Sequence, residues 1–203
     1  MMRRIVFGAV LLLGMSACSS EKQPASPSFE DVLTSRRSVR NYDASRTITE
    51  PEVRTLLAMV QDAPSWANGQ PTRYYAAVSP DKVEAVKKLV GERNAENIAG
   101  APVVLVSTFR KGLSGFFRGE ATNEVGDGWG AYDNGLSDAY LILAARSMGF
   151  DTLIMGYRDA DGLRQLFGIP EEEAVMAVIA LGYRADDPTR PARKSLDEIV
   201  KFF

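Results

Sequence analysis

Apolar and polar positions recur along the chain in two periods, about 3.6 and 2, and these set the expected elements. Ser28 followed by Asp31 has the form of a capping box and predicts a short helix from Phe29 to about Ser35. In TEPEVRTLLAMVQDA, Thr49 stands as N-cap and Pro51 falls in the first turn. Val53, Leu56, Leu57 and Val60 then share one face, which predicts an amphipathic helix. PSWANGQPT reads as a turn-rich loop leading into a strand, RYYAAV. Ser79-Pro80 opens another helix, predicted to run to about Arg93. APVVLVSTF is a strand buried on both faces, bounded by Pro102 and Arg110.

Six glycines and several aromatic residues between 110 and 131 fit no regular element. From Asp133 to about Met148 a long helix is predicted. Leu136 and Tyr140 to Ala144 make it apolar on nearly every face, which requires burial on all sides; in a chain this small, packing between two subunits is a natural way to obtain it. TLIMG and AVMAVIALG supply the last strands, separated by a helix from about Asp159 to Phe167, and ARKSLDEIVKFF ends the chain in a short apolar-faced helix. Helices and strands alternate irregularly, so the expected class is α+β around a mixed central β-sheet flanked by helices.

The first residues follow another logic. MMRRIVFGAVLLLGMSACSS has a basic start, an apolar run from Ile5 to Leu13 and then small residues. That run is shorter than the roughly 20 residues a bilayer span needs, and it reads as a secretory signal. GMSAC resembles a bacterial lipobox, with Cys18 at the position that receives lipid; an uncleaved N-terminal anchor fits the same stretch. The expected division is a signal peptide over 1–17, a lipidated Cys18 with a flexible tether over 18–28, and one folded domain over 29–203. The resulting place is the periplasm or outer face of a bacterial membrane, held there by the lipid.

Composition narrows the chemistry. Of 203 residues, 45% are apolar and 25% charged, enough for one sizeable core. Formal charge is −2, and losing Arg3 and Arg4 with the leader would leave 22 basic against 26 acidic side chains, which argues against a nucleic-acid partner. The absence of histidine removes His bases and most zinc or iron sites, so no metal is expected. A single cysteine allows no internal disulfide. Any enzymatic chemistry would then come from an organic cofactor.

Against this acidic background SRRSVRNYD, residues 35–43, gathers Arg36, Arg37 and Arg40 around Ser38. Guanidinium groups and a hydroxyl suit a phosphate; a solvated charge run at a helix end suits the same residues. In APSWANGQPTRY, Asn68 and Gln70 offer rigid amides of the kind a flat heterocycle pairs with, although Asn-Gly is also an ordinary turn.

RRSVRNYD, APSWANGQP, NAENIAGAPVVLV, DNGLSDAYLILAARSMGFDTLIMG and RKSLDEIV, in this order and spacing, resemble the nitroreductase family of flavoproteins. The resemblance covers nearly everything from Phe29 onward. It implies a nitroreductase-like fold and a homodimer in which the long central helix is buried and sites lie across the interface. It also implies non-covalently bound FMN. Arg36, Arg37, Ser38 and Arg40 match the positions that hold its phosphate and ribityl chain. Asn68 and Gln70 match the loop beside the flavin, and Asn94 and Asn97 the positions at the pyrimidine edge. The second of these is often Lys in the family, which would leave Arg40 as the cation near the electron-rich part of the ring. Met155 and Gly156 match the segment along its other face, and Arg193 with Lys194 a late basic contact to the phosphate. No side chain is expected to act as catalyst in its own right. The implied activity is ping-pong transfer of two electrons to a flat small-molecule acceptor, a nitroaromatic or quinone. A dehalogenase of the same fold or a nucleotide-binding lipoprotein without activity are the alternatives. Phe116, Phe117, Trp129 and Tyr132 either stack on that acceptor or close the core beneath a loop. NAD(P)H is the family's usual donor, and an exported protein would not meet it freely, so the donor is open.

Overall fold

The computed structural model describes residues 26–203; the leader, Cys18 and most of the tether lie outside the described residues. Four strands make the central sheet: β1 (Thr72–Ala77), β2 (Val103–Arg110), β5 (Asp151–Met155) and β6 (Glu173–Gly182), in the order β1-β2-β6-β5. All four pair antiparallel. A parallel bridge from Ser38 to Thr152 along the free side of β5 adds the one parallel element to this mixed sheet.

β2 shows why the sheet is central. Its side chains alternate between two separate apolar clusters, Val103 and Leu105 on one face and Val104 and Val106 on the other. The first cluster is closed by α2 (Glu50–Val60) and α5 (Gly128–Ser147), through Val53, Leu56, Val60, Leu141 and Ala145. The second is closed by α3 (Pro80–Lys87), α4 (Glu92–Asn97) and α6 (Ala160–Phe167), through residues such as Val83, Val86 and Leu163. A run apolar at every position is what a strand covered on both faces requires.

α1 (Phe29–Ser35) and α2 start where their capping boxes place them. Ser28 Oγ accepts from the Asp31 amide at 3.1 Å, and Thr49 Oγ1 from the Glu52 amide at 3.4 Å. Two expectations are corrected. The helix expected from Ser79 to Arg93 is two helices: α3 ends at Lys87, and after a short turn Gly91, with φ of +79°, stands at the start of α4. A Cβ there would also meet the Tyr157 ring at 2.7 Å. The stretch 110–131 is not wholly irregular. It holds a small hairpin of β3 (Phe116–Phe117) and β4 (Glu120–Ala121), and α5 begins within it at Gly128 rather than Asp133.

The packing of α5 also departs from expectation. The residues it buries include Asp133, Asn134, Ser137 and Asp138, while Tyr132 and Tyr140 are 60% and 42% exposed. The helix therefore turns a polar stripe toward the sheet and leaves aromatic residues on its outer side.

α7 (Leu196–Ile199) ends an otherwise open C-terminal segment in which Leu196, Ile199, Phe202 and Phe203 are exposed.

Close backbone approach fixes one glycine that the arginine segment depends on. A Cβ on Gly100 would lie 2.4 Å from the carbonyl oxygen of Tyr42. Backbone cannot swing aside as a side-chain tip can, so Gly100→Ala is expected to lower stability by about 1–3 kcal/mol, read by urea denaturation.

Candidate functional site: an arginine-lined cavity and a strained amide loop

The segment 36–43 runs along the outer side of β5 and then beside the chain that follows β6. Val39 N–H donates to Thr152 O at 3.0 Å, Asp43 N–H to Tyr183 O at 2.8 Å, and Ala185 N–H to Asn41 O at 3.0 Å. Val39 and Tyr42 are buried, whereas Ser38 and Arg40 face outward. This alternation presents the polar members of the motif together.

They meet the tail of the chain there. Arg36, Arg37, Ser38 and Arg40 line one small cavity of about 90 Å³ with Pro188, Thr189, Pro191 and Arg193. Four guanidinium groups thus surround one space. Among the described residues none of the four lies within 4.0 Å of a carboxylate, since the ion pairs present use other cations. Arg36 is held below the usual arginine range, first by burial and then by the like charges of Arg193 and Arg37. Arg37 spends Nη1 on Thr34 O (2.6 Å) and Arg36 O (2.9 Å) at the end of α1, while its Nε is buried without a partner. Clustered cations and an orphaned donor leave the cavity short of an anion with several oxygens.

The segment is fastened by a buried carboxylate. Asp151 accepts from Arg184 Nη2 at 2.6 Å and Nε at 2.8 Å, and from Arg146 Nη1 at 3.4 Å. The same arginines reach back to Ser35: Arg184 Nη2 donates to its carbonyl at 3.1 Å and Arg146 Nε to its hydroxyl at 3.0 Å. The residue just before Arg36 is therefore tied to β5.

The Asn68–Gln70 loop lies at another cavity. Gln70 and Ser65 help to line a space of about 250 Å³ that shares no lining residue with the arginine cavity. Ala67, Asn68 and Gln70 all have positive φ, +47°, +56° and +47°. Three non-glycine residues in the left-handed region cost energy that the surroundings must offset. Ser65 Oγ accepts from the Gln70 amide at 2.9 Å, and Asp133 Oδ2, from the buried stripe of α5, accepts from the Trp66 amide at 2.9 Å.

Other expected residues are placed as follows. Asn94 donates to Val90 O at 3.0 Å and Tyr157 O at 3.4 Å, so its amide holds α4 to the segment after β5. Asn97 is the last residue of α4. Met155 is 3% exposed and packs in the core; Ile154, 43% exposed, is the side chain presented at the surface there. Gly156 follows directly and is exposed, its carbonyl accepting from Arg158 at 2.9 Å. Lys194 does not line the arginine cavity, although Arg193 does.

The four aromatic residues divide into two groups. Trp129 packs on Trp66 with centroids 4.9 Å apart and on Tyr132 at 5.8 Å, beside the amide loop. Phe116 and Phe117 sit on the separate hairpin, with Arg118 over the Phe117 ring. Trp66 was legible as part of the loop motif, but nothing in the sequence joined it to Trp129. Thr189 and the prolines around it were missed, for they carry no motif of their own.

Asp138 also escaped the sequence reading. Tyr74 OH donates to its Oδ1 at 2.9 Å and Ser107 Oγ at 2.8 Å, and Asn134 Nδ2 donates to Ser107 Oγ at 2.8 Å. Burial raises its carboxyl above the usual range, partly opposed by the Ser107 and Tyr74 hydrogen bonds. Because the folded value is the higher one, this group favours folding most below the ordinary carboxylate pKa. The contribution is lost as pH rises through the folded value. Asp138→Asn is thus expected to gain stability relative to wild type as pH rises through that window, read by urea denaturation at several pH values.

Helices thus cover both faces of an antiparallel core sheet, and guanidinium groups distant in sequence meet around one cavity whose chemistry suits a phosphate. The nitroreductase family model matches residues 33–183, and the chain belongs to that family. The chain is 25% identical over 202 residues to YdgI of Bacillus subtilis, provisionally named an NAD(P)H nitroreductase, covering 86% of this chain and 97% of that one. It is 27% identical over 191 residues to an NADH dehydrogenase of Thermus thermophilus, covering 81% and 91%. A solved structure of similar fold comes from Exiguobacterium sibiricum, a provisionally named nitroreductase in complex with FMN, with TM-score 0.76, 21% identity and 87% and 98% coverage.

Proposed function

We propose that the protein is an FMN-dependent oxidoreductase that reduces a flat oxidised acceptor, of nitroaromatic or quinone type, and does so as a homodimer. The observation that carries this reading is the cavity where Arg36, Arg37, Ser38, Arg40 and Arg193 converge without a carboxylate. Arg36 and Arg193 would hold the phosphate with the Ser38 hydroxyl, and Arg37 Nε, now without a partner, would gain an acceptor. Bound FMN supplies two-electron redox chemistry that a chain with a single cysteine, and so no dithiol pair, cannot supply from its own side chains.

The dimer follows from what one chain keeps apart. Gln70 of the amide loop lines a cavity distinct from the arginine cavity, so a second copy would bring its amide loop to the first copy's arginines. The outward aromatic side of α5 and the exposed Phe29, Leu33, Ile199 and Phe202 supply apolar surface for such a contact. Trp66, Trp129 and Tyr132, inclined to one another at 52° and 73°, would offer an aromatic cluster of ring faces and edges for an aromatic acceptor to meet.

The test is an absorption spectrum of the purified protein saturated with FMN, then reduced with dithionite and mixed in parallel with a nitroaromatic, a quinone and a halogenated aromatic. Flavin absorbance that bleaches and returns with the first two acceptors supports the reading. Protein that stays colourless after saturation sinks it, and recovery only with the halogenated compound moves it to dehalogenation. Light scattering on the same sample reports the dimer.

From the sequence of residues 1–28 we also infer an exported lipoprotein, anchored through Cys18. In cells fed labelled palmitate, Cys18→Ala is expected to lose the label and leave the membrane fraction. The donor for such a protein would be a membrane quinol or a redox partner in place of NAD(P)H.

A further inference from the structure

α5 turns Asn134, Ser137 and Asp138 toward the sheet, and the hydroxyls of Tyr74 on β1 and Ser107 on β2 both point their protons at one oxygen, Asp138 Oδ1. Asn134 orients Ser107 by donating to it, so the direction of this chain is fixed from one end. Asp138 is 7% exposed, and no cation among the described residues pairs with it. A network made only to pin a helix has no need for an acid in this place, since an amide accepts the same two hydrogen bonds without a charge to desolvate.

The network has one outlet. Tyr74 and Ser137 line the 250 Å³ cavity together with Ser65 and Gln70 of the amide loop and the apolar Leu57 and Val60. Other groups around the acid are neutral or engaged: β2 presents Ser107, Gln61 just after α2 lines the cavity, and Asp133 on α5 accepts from the Trp66 amide. Tyr74 is the titratable group that faces Asp138, and burial with the adjacent carboxylate pushes its phenol upward, so it stays protonated near neutrality.

We infer that Tyr74 and Asp138 form a proton-delivery pair serving the cavity beside the 65–70 loop, Tyr74 as the catalytic donor and Asp138 as the positioning residue that reloads it. This rests on the oxidoreductase reading, which supplies the two electrons. An acceptor reduced by two electrons carries an oxyanion. That oxyanion takes the phenolic proton of Tyr74, and Asp138 passes its carboxyl proton to the phenolate oxygen. O–H bonds break at Tyr74 and Asp138 and form at the acceptor and at Tyr74; no electron moves in this step. Asp138 is left ionised, stabilised by Tyr74 and Ser107 donating to Oδ1, until water in the cavity restores its proton.

The test uses full-length protein with FMN, reduced by dithionite and reoxidised by a benzoquinone in stopped flow across pH. Tyr74→Phe is expected to slow reoxidation by about a hundredfold or more with FMN affinity unchanged. Asp138→Asn is expected to slow it and to remove the wild-type pH dependence. Rates and pH profiles equal to wild type in both variants overturn the inference. A second measurement needs no flavin: the infrared carbonyl band of a protonated carboxyl in the apo-protein, expected to persist to higher pH than an ordinary carboxyl allows, to be lost in Asp138→Asn and to be shifted in frequency by Tyr74→Phe. Absence of that band overturns the inference even if turnover is normal. A wild type that binds no FMN fails the oxidoreductase reading alone, and the infrared band still scores the acid.

Discussion

Arg36→Ala combined with Arg193→Ala is expected to weaken FMN binding by about two to four orders of magnitude. Each charged hydrogen bond to a phosphate contributes roughly 1.5–3 kcal/mol, and two such contacts give about 3–6 kcal/mol, at about 1.4 kcal/mol per factor of ten. These two positions are chosen over Arg37 and Arg40 for a structural reason. Arg37 also caps the end of α1 through Thr34 O and Arg36 O, so its loss would mix binding with folding, and Arg40 is the cation expected near the ring; Arg193 donates only within its own segment, to Pro191 O and Ala192 O. Arg36 and Arg193 repel one another in the free protein. Removing both relieves that repulsion, so the apo-protein should unfold at the same or a slightly higher temperature while binding collapses. Fluorescence titration with FMN beside a thermal melt separates the two effects. Full affinity in the double variant would return the cluster to plain surface charge.

Asp151→Ala should give the largest loss of stability, about 3–5 kcal/mol, because deleting the buried carboxylate leaves Arg146 without an acid partner and Arg184 with the exposed Asp187 alone. The Asp151 side chain is 2% exposed, and those of Arg184 and Arg146 are 17% and 26%. Both arginines also hold Ser35, so FMN affinity should fall as well, through loss of order in the residues that follow rather than loss of a contact. Urea denaturation with and without FMN reads both. A variant as stable as wild type would show that the arginines find other acceptors.

Local signals in the sequence carried far where the determinant was itself local. α1 and α2 begin at their capping boxes because a hydroxyl and a carboxylate three residues apart settle a helix start without help from the fold. The arginine motif with Arg193 was legible as well, through the order of motifs rather than through any single one. What escaped depends on contacts distant in sequence. The turn before α4 sets Gly91 against the Tyr157 ring, and the early start of α5 sets Gly130 against Phe109, whose ring a Cβ would meet at 2.4 Å. The polar stripe of α5 had a visible signal, with Asp133, Asn134, Ser137 and Asp138 spaced as one helical face. The surrounding apolar residues masked it, and only the partners Tyr74 and Ser107 show which side is inside. Met155 was assigned to a ligand by position in a motif, whereas strand alternation turns its side chain into the core and Ile154 outward.

The bridge from Ser38 to Thr152 gives the arginine segment a second duty. β5 is an outer strand of the sheet, and an uncovered outer strand offers its free amides and carbonyls to any other chain. Segment 38–39 occupies that rim, and the guanidinium groups beside it discourage a foreign strand by charge and bulk. Losing the grip of Asp151 would therefore do more than weaken ligand binding. It would open a template for aggregation, and in this protein solubility and cofactor retention should fail together.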